Sequence, residues 1–122
     1  MLRSLIFCCL ASLLSQAFAE ENGATAEWQL KNTIQWSTAS EVNNFGYDVY
    51  RGEAENGPFI KLTKTSLPAA GTVDTPQFYK FVDDTIAPDT VYYYYVESIS
   101  MDGVRERLTP IVSSQPKSWP DG

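Results

Sequence analysis

The chain has 122 residues, 15 acidic against nine basic, no histidine and two cysteines, for a formal net charge of −6. The acidic balance repels phosphate backbones and anionic lipid, which argues against nucleic-acid and membrane-surface partners. Without histidine, neither a Ser-His-Asp triad nor a histidine zinc site can be assembled.

The N-terminus reads as a signal peptide over residues 1–19. Arg3 and the terminal amine supply positive charge, an apolar run follows from Leu5 to Leu14, and Ala17-Phe18-Ala19 has the small-x-small pattern of a cleavage site. The run is short of the ~20 residues that span a bilayer. Ile6 and Phe7 precede Cys8 where lipid attachment needs small residues. Cleavage after Ala19 removes Cys8, Cys9 and one of the nine basic residues, leaving 103 residues with a formal charge of −7. A chain of that size is one domain that buries roughly two thirds of its surface. It enters an oxidising compartment without a disulfide, so core packing has to stabilise it. No second apolar run follows, and the mature part is expected to be soluble.

Past residue 26 the periodicity is that of strands. Ile34 and Trp36 alternate with Gln35 and Ser37. Phe45, Tyr47 and Val49 alternate with Gly46, Asp48 and Tyr50. Tyr79 and Phe81 share a phase, and Tyr92, Tyr94 and Val96 alternate with Tyr93, Tyr95 and Glu97. Such period-two runs of aromatic and β-branched residues mean strands with one buried face. Turn or loop signals separate them at Asn43-Asn44, Asn56-Gly57-Pro58, Pro68 to Gly71, Ala87-Pro88-Asp89 and Asp102-Gly103. Asp102-Gly103 reads as a hairpin turn, and Pro110 marks the last strand as an edge or a bulge. About seven short antiparallel strands predict an all-β sandwich over residues 20–114. Residues 115–122, with Pro116 and Pro120, are expected to fray.

Several stretches resemble the fibronectin type III family, an immunoglobulin-like fold. Ile86-Ala-Pro88-Asp-Thr90-Val-Tyr92 is similar to its L-x-P-x-T-x-Y, and Phe81-Val-Asp83-Asp-Thr85-Ile86 resembles a Y-x-D-x-x-L variant of bacterial members. Tyr94-x-Val96-x-Ser98 with Asp102-Gly103 resembles the F–G hairpin. Gly46-Tyr47-Asp-Val49-Tyr50-Arg51 resembles the third strand and Ile34-Gln-Trp36 the second. The likeness covers residues 26 to 112. It implies that Trp36, Tyr47, Val49, Ile86, Pro88, Tyr92 and Tyr94 are structural, with Tyr92 as a tyrosine corner. It also implies a bacterial protein, periplasmic or secreted. The proline-rich opening of the family's first strand is missing, which leaves a first strand near Ala26–Leu30. The fold alone does not name an activity.

Candidate chemistry is sparse. Asp83, Asp84 and Asp89 cluster before Tyr92, but acidic residues there commonly bond turn amides, and no calcium-loop spacing is present. We therefore expect no enzyme activity, cofactor or metal. The tyrosine run offers a surface instead. Alternation that buries Tyr92 and Tyr94 turns Tyr93 and Tyr95 outward, and Tyr50 faces outward on the neighbouring strand. Tyr50, Tyr93 and Tyr95 are thus a candidate binding patch, with a cross-strand stabilising ladder as the plainer alternative. Arg105 and Arg107 read as a solvated edge face. No Arg-Gly-Asp appears in the F–G hairpin, so integrin binding is unsupported. The expectation is an exported, non-catalytic module that binds a protein partner. The alternatives are a carbohydrate-binding accessory stacking sugars on the tyrosines, and a structural subunit of an envelope assembly.

Overall fold

Alternating burial along short strands decides the architecture. The computed structural model describes residues 30–120 and the backbone of Ile6–Phe7. Apart from those two, the expected signal peptide lies outside the described residues, as do Trp28 and most of the expected first strand. The strands are β1 (Ile6–Phe7), β2 (Asn32–Thr38), β3 (Glu41–Gly52), β4 (Phe59–Lys61), β5 (Leu67–Val73), β6 (Gln77–Asp83), β7 (Tyr93–Ser100), β8 (Arg105–Arg107) and β9 (Val112–Ser113). No helix occurs among the described residues, so none there is long and apolar enough to cross a membrane.

All pairings are antiparallel. The smaller sheet has the order β1-β2-β6, and the larger runs β4-β3-β7-β8, with β5 also on β3 and β9 also on β7. The two sheets face each other as a β-sandwich, the fold class read from the strand periodicity. Ile34 and Trp36 of β2 meet Tyr47, Val49, Tyr94 and Val96 of the larger sheet in one buried cluster with Leu30, Ile86 and Tyr92. Trp36 stacks on Tyr79 at 5.6 Å and meets Tyr47 edge-on at 5.5 Å. Its Nε1–H is buried without an acceptor, a cost of about 1–3 kcal/mol set against the ring packing around it.

Three expectations change. Phe45 was phased with Tyr47 and Val49, yet it is 55% exposed. The register shifts between Asn44 and Gly46 opposite β7, and Asn43 is left-handed at φ 52°. This bulge turns the side chain of Asn44 inward, where its Nδ2 donates to Tyr47 Oη at 2.7 Å, and leaves Phe45 outside. Asn43-Asn44 is therefore a bulge within β3, not a loop. Second, Pro68 to Gly71 lies inside β5, where an edge strand tolerates proline's missing N–H.

The edge and bulge expected at Pro110 are present: the last strand lies at the edge of the larger sheet and is interrupted between β8 and β9. Near Pro110, the Leu108 and Thr109 amides both donate to Val96 O, while Thr109 Oγ1 takes the Val96 amide. Pairing then resumes only at β9. Third, the tail is tied down where fraying was expected. Lys117 is 8% exposed, and its Nζ donates to Lys31 O at 2.9 Å and Asn32 Oδ1 at 3.0 Å. Asp102 sits in the β7–β8 hairpin turn, followed by Gly103 at φ 85°, a conformation glycine adopts without steric cost.

Candidate functional face of the larger sheet

The outward row of β3 and β7 carries the tyrosines. Tyr50 lies directly opposite Tyr95, and their rings stack at 4.8 Å with planes 8° apart. Phe59 of β4 meets Tyr95 edge-on at 5.1 Å. It reaches across because Gly52 stands between them without a side chain: a Cβ there would meet Phe59 Cδ1 and Pro58 O, each at 2.9 Å. From the β8 side, the Arg107 guanidinium lies 4.4 Å over the Tyr95 ring. Strand order puts Tyr50 and Arg107 on opposite sides of Tyr95, so both faces of that ring are occupied.

Tyr50 and Tyr95 thus come together. Tyr93 does not join the stack; it is half-buried, opposite Gly52 on one side and Ser113 on the other. Sequence reasoning missed Phe59, because its reach depends on a glycine in a different strand. Arg105 and Arg107 lie exposed on the edge strand β8, where the sequence reading put them, but their partners were not foreseen. Arg105 Nη1 donates to Asp48 Oδ2 at 3.0 Å and to Glu97 Oε1 at 2.8 Å, and Tyr50 Oη donates to the same Glu97 oxygen at 2.9 Å. Burial and the bond to Glu97 push the Tyr50 hydroxyl up to about 12. Asp48 is fully buried although its phase is outward, because Arg105, Thr63 and Ser66 cover and bond it. Burial alone would raise the Asp48 carboxyl, but those bonds and nearby Lys61 hold it below its usual range.

The residues assigned structural roles sit inside, with one exception. Trp36, Tyr47, Val49, Ile86, Tyr92 and Tyr94 are buried, and Pro88 is exposed in a turn. Tyr92 Oη accepts the Ala87 amide at 2.9 Å, and Arg51 lies 4.7 Å over the Tyr92 ring.

The acidic residues before Tyr92 diverge. Asp83 is 3% exposed and accepts Tyr94 Oη at 2.6 Å, Arg51 Nη1 at 2.9 Å and the Thr85 amide at 3.1 Å. Asp89 accepts Ser118 Oγ at 2.6 Å instead. Among the described residues, no three acidic, cysteine or histidine groups gather to hold a metal ion. An open hollow of about 390 Å³ after β3, lined by Arg51, Gly52, Glu53, Ala54, Gly57, Pro58 and Ile60, offers one carboxylate. Hydrolysis by a pair of carboxylates needs two.

A third buried carboxylate, Glu41, joins both sheets. It is 0% exposed, and its Oε2 accepts Thr38 Oγ1 at 2.8 Å, Tyr47 Oη at 2.8 Å and Tyr79 Oη at 2.6 Å. The Ala70 amide donates to Oε1 at 2.9 Å.

No family model matches the chain, and no solved structure matches it. It is 35% identical over 68 residues to an amylopullulanase of Thermoanaerobacter thermohydrosulfuricus, a match that covers 55% of this chain and 4% of that protein's length.

Proposed function

We propose that this chain is an exported, non-catalytic module of the fibronectin type III kind that binds a polypeptide partner through the outer face of the larger sheet. The apolar N-terminal run with its Ala-Phe-Ala end supports export. The tyrosine-corner bond from the Ala87 amide to Tyr92 supports the family. Glu41, Asp48 and Asp83, the most buried carboxylates, are engaged by structural donors, which supports a non-catalytic role.

The observation that carries the reading is the locked stack of Tyr50, Tyr95, Phe59 and Arg107. Rigid aromatic and arginine side chains are the groups that dominate polypeptide interfaces. With both faces of Tyr95 filled, a pyranose has no ring face to stack on there. Polysaccharide binding is the second reading, favoured by the likeness to a protein named amylopullulanase, and it would use Tyr93, whose ring lies outside the stack.

The test immobilises the exported protein, the Tyr50→Ser/Phe59→Ser variant and Tyr93→Ser. Each is offered the exported proteins of its source and, separately, pullulan. Retention of one polypeptide by the wild type and Tyr93→Ser, lost in the double variant, is expected. Pullulan retained by the wild type and lost in Tyr93→Ser would transfer the surface to sugar. Equal capture by all three proteins would remove the face from consideration.

A further inference from the structure

The outer face has the opposite polarity to the protein that carries it. Three of the nine basic residues, Lys61, Arg105 and Arg107, stand on it in a chain of net charge −6. Its carboxylates lie beneath them: the Asp48 side chain is 0% exposed and that of Glu97 18%, whereas that of Arg105 is 45% exposed. Lys61 and Arg107 are exposed residues. Solvent therefore meets the cations first, with aromatic rings between them. Lys61 lies opposite Tyr50 in register, and Arg107 caps Tyr95, so the order across the strands is cation, ring, ring, cation.

From these observations, and resting on the polypeptide reading above, we infer that the face takes an extended acidic segment laid across the strands. The spacing defines its pattern. Three strand separations lie between Lys61 and Arg107, about 14–15 Å. In an extended chain, residues i and i+4 on one side are about 13 Å apart and i+2 lies between them on that same side. An acidic-x-apolar-x-acidic segment thus sets its carboxylates on Lys61 and Arg107 and its central side chain on the Tyr50–Tyr95 ridge. The occupied faces of Tyr95 leave no place on that ring for a nucleobase or sugar to stack, which favours a polypeptide on the Tyr50–Tyr95 ridge. A second copy of this acidic chain would meet long-range repulsion.

The experiment measures fluorescence anisotropy of a labelled decapeptide alternating glutamate and valine. Its lysine–valine and serine–valine counterparts, polygalacturonate and single-stranded DNA are measured alongside. The proteins are the wild type, Lys61→Glu/Arg107→Glu, Arg107→Lys and Tyr50→Ser, each checked for an unchanged melting profile. The glutamate peptide should bind the wild type, weaken at least tenfold in the charge-reversal variant, and weaken further with added salt. Arg107→Lys should recover part of that loss.

Binding of the lysine or serine peptide as tightly as the glutamate one overturns the inference. If that binding is lost in Tyr50→Ser, the polypeptide reading survives. Binding of polygalacturonate or DNA in place of the glutamate peptide also overturns it. No peptide binding at all overturns the acidic segment; the polypeptide reading then stands or falls on whether the partner capture depends on Tyr50 and Phe59.

Discussion

Replacing Glu41 with glutamine tests whether a buried carboxylate holds the two sheets together. The carboxylate has no exposure and accepts four hydrogen bonds, from Thr38, Tyr47, Tyr79 and the Ala70 amide. Bonds to a charged group are each worth about 1.5–3 kcal/mol, against about 1 kcal/mol for neutral ones. Glutamine keeps the volume but removes the charge, and whichever way its amide turns, the nitrogen faces existing donors, either the three hydroxyls at Oε2 or the Ala70 N–H at Oε1. One of those hydroxyls, on Tyr47, already accepts the Asn44 amide. We therefore expect Glu41→Gln to cost about 3 kcal/mol, a drop of roughly 12–24 °C in Tm for a domain near 100 residues.

The pH dependence gives a separate check. Burial would raise the Glu41 carboxyl, but the bonds from Tyr79, Ala70, Thr38 and Tyr47 outweigh it and hold the group below its ordinary value. A carboxyl lowered in the folded state contributes fully above its unfolded value, about 4, and loses that contribution as pH falls toward the folded value. Wild-type stability in urea should fall below about pH 4, and Glu41→Gln should show a smaller acid-dependent loss. A variant within 1 kcal/mol of wild type at pH 7, or one with the full acid slope, would refute the account.

Alkali should act through the tyrosines. Burial and the bond to Glu41 raise Tyr47 and Tyr79, and burial and the bond to Asp83 raise Tyr94. Raised groups stabilise below their unfolded value, about 10, and lose that contribution above it. Absorbance at 295 nm should show these three ionising together with unfolding, and Tyr50 ionising near 12 if the fold persists that far. Gly52→Ala should cost about 1–3 kcal/mol by overpacking, because its Cβ meets Phe59 and the Pro58 carbonyl at 2.9 Å. Urea melts measure that cost, and near-ultraviolet circular dichroism reports whether Phe59 leaves Tyr95; an unchanged spectrum with unchanged stability would contradict the packing.

Strand identity was legible because side-chain alternation has a period of two, and Trp36, Tyr47, Val49, Tyr92 and Tyr94 all fall on the buried phase. The period failed at Phe45, because a bulge adds a residue and leaves local composition unchanged. Pro68 to Gly71 has the composition of a turn, yet β3 has room along its edge for β5 beside β4. That is a tertiary circumstance. The pairing of Tyr50 with Tyr95 was legible from the adjacency of β3 and β7. The partners of Phe59, Arg105 and Arg107 were not, since each acts across strands on residues distant in sequence. The buried carboxylates were the least legible feature. Glu41 and Asp48 look like surface residues of a strand until the fold brings up the hydroxyls that satisfy them. Those for Glu41 come from Thr38 of β2, Tyr79 of β6 and Tyr47, and those for Asp48 from Thr63 and Ser66 between β4 and β5.

Those carboxylates bear on the proposed binding face. Arg105 joins Asp48 beneath the face to Glu97 within it, and Glu97 in turn accepts the Tyr50 hydroxyl. Tyr50 is held by that bond and by the Tyr95 stack, while Tyr95 is held by Tyr50, Phe59 and Arg107. A ligand meeting this surface finds most rotamers already set, so it incurs less of the ordering cost of about 0.5–1.5 kcal/mol per immobilised side chain. Arg105 is engaged by Asp48 and Glu97, and Lys61 and Arg107 are left to meet the ligand. Removing Arg105 should therefore loosen Tyr50 and leave Asp48 buried without its cation, whereas removing Lys61 should weaken an acidic ligand while leaving the fold intact. The same sheet thus separates a charge that holds the surface in place from charges available for recognition.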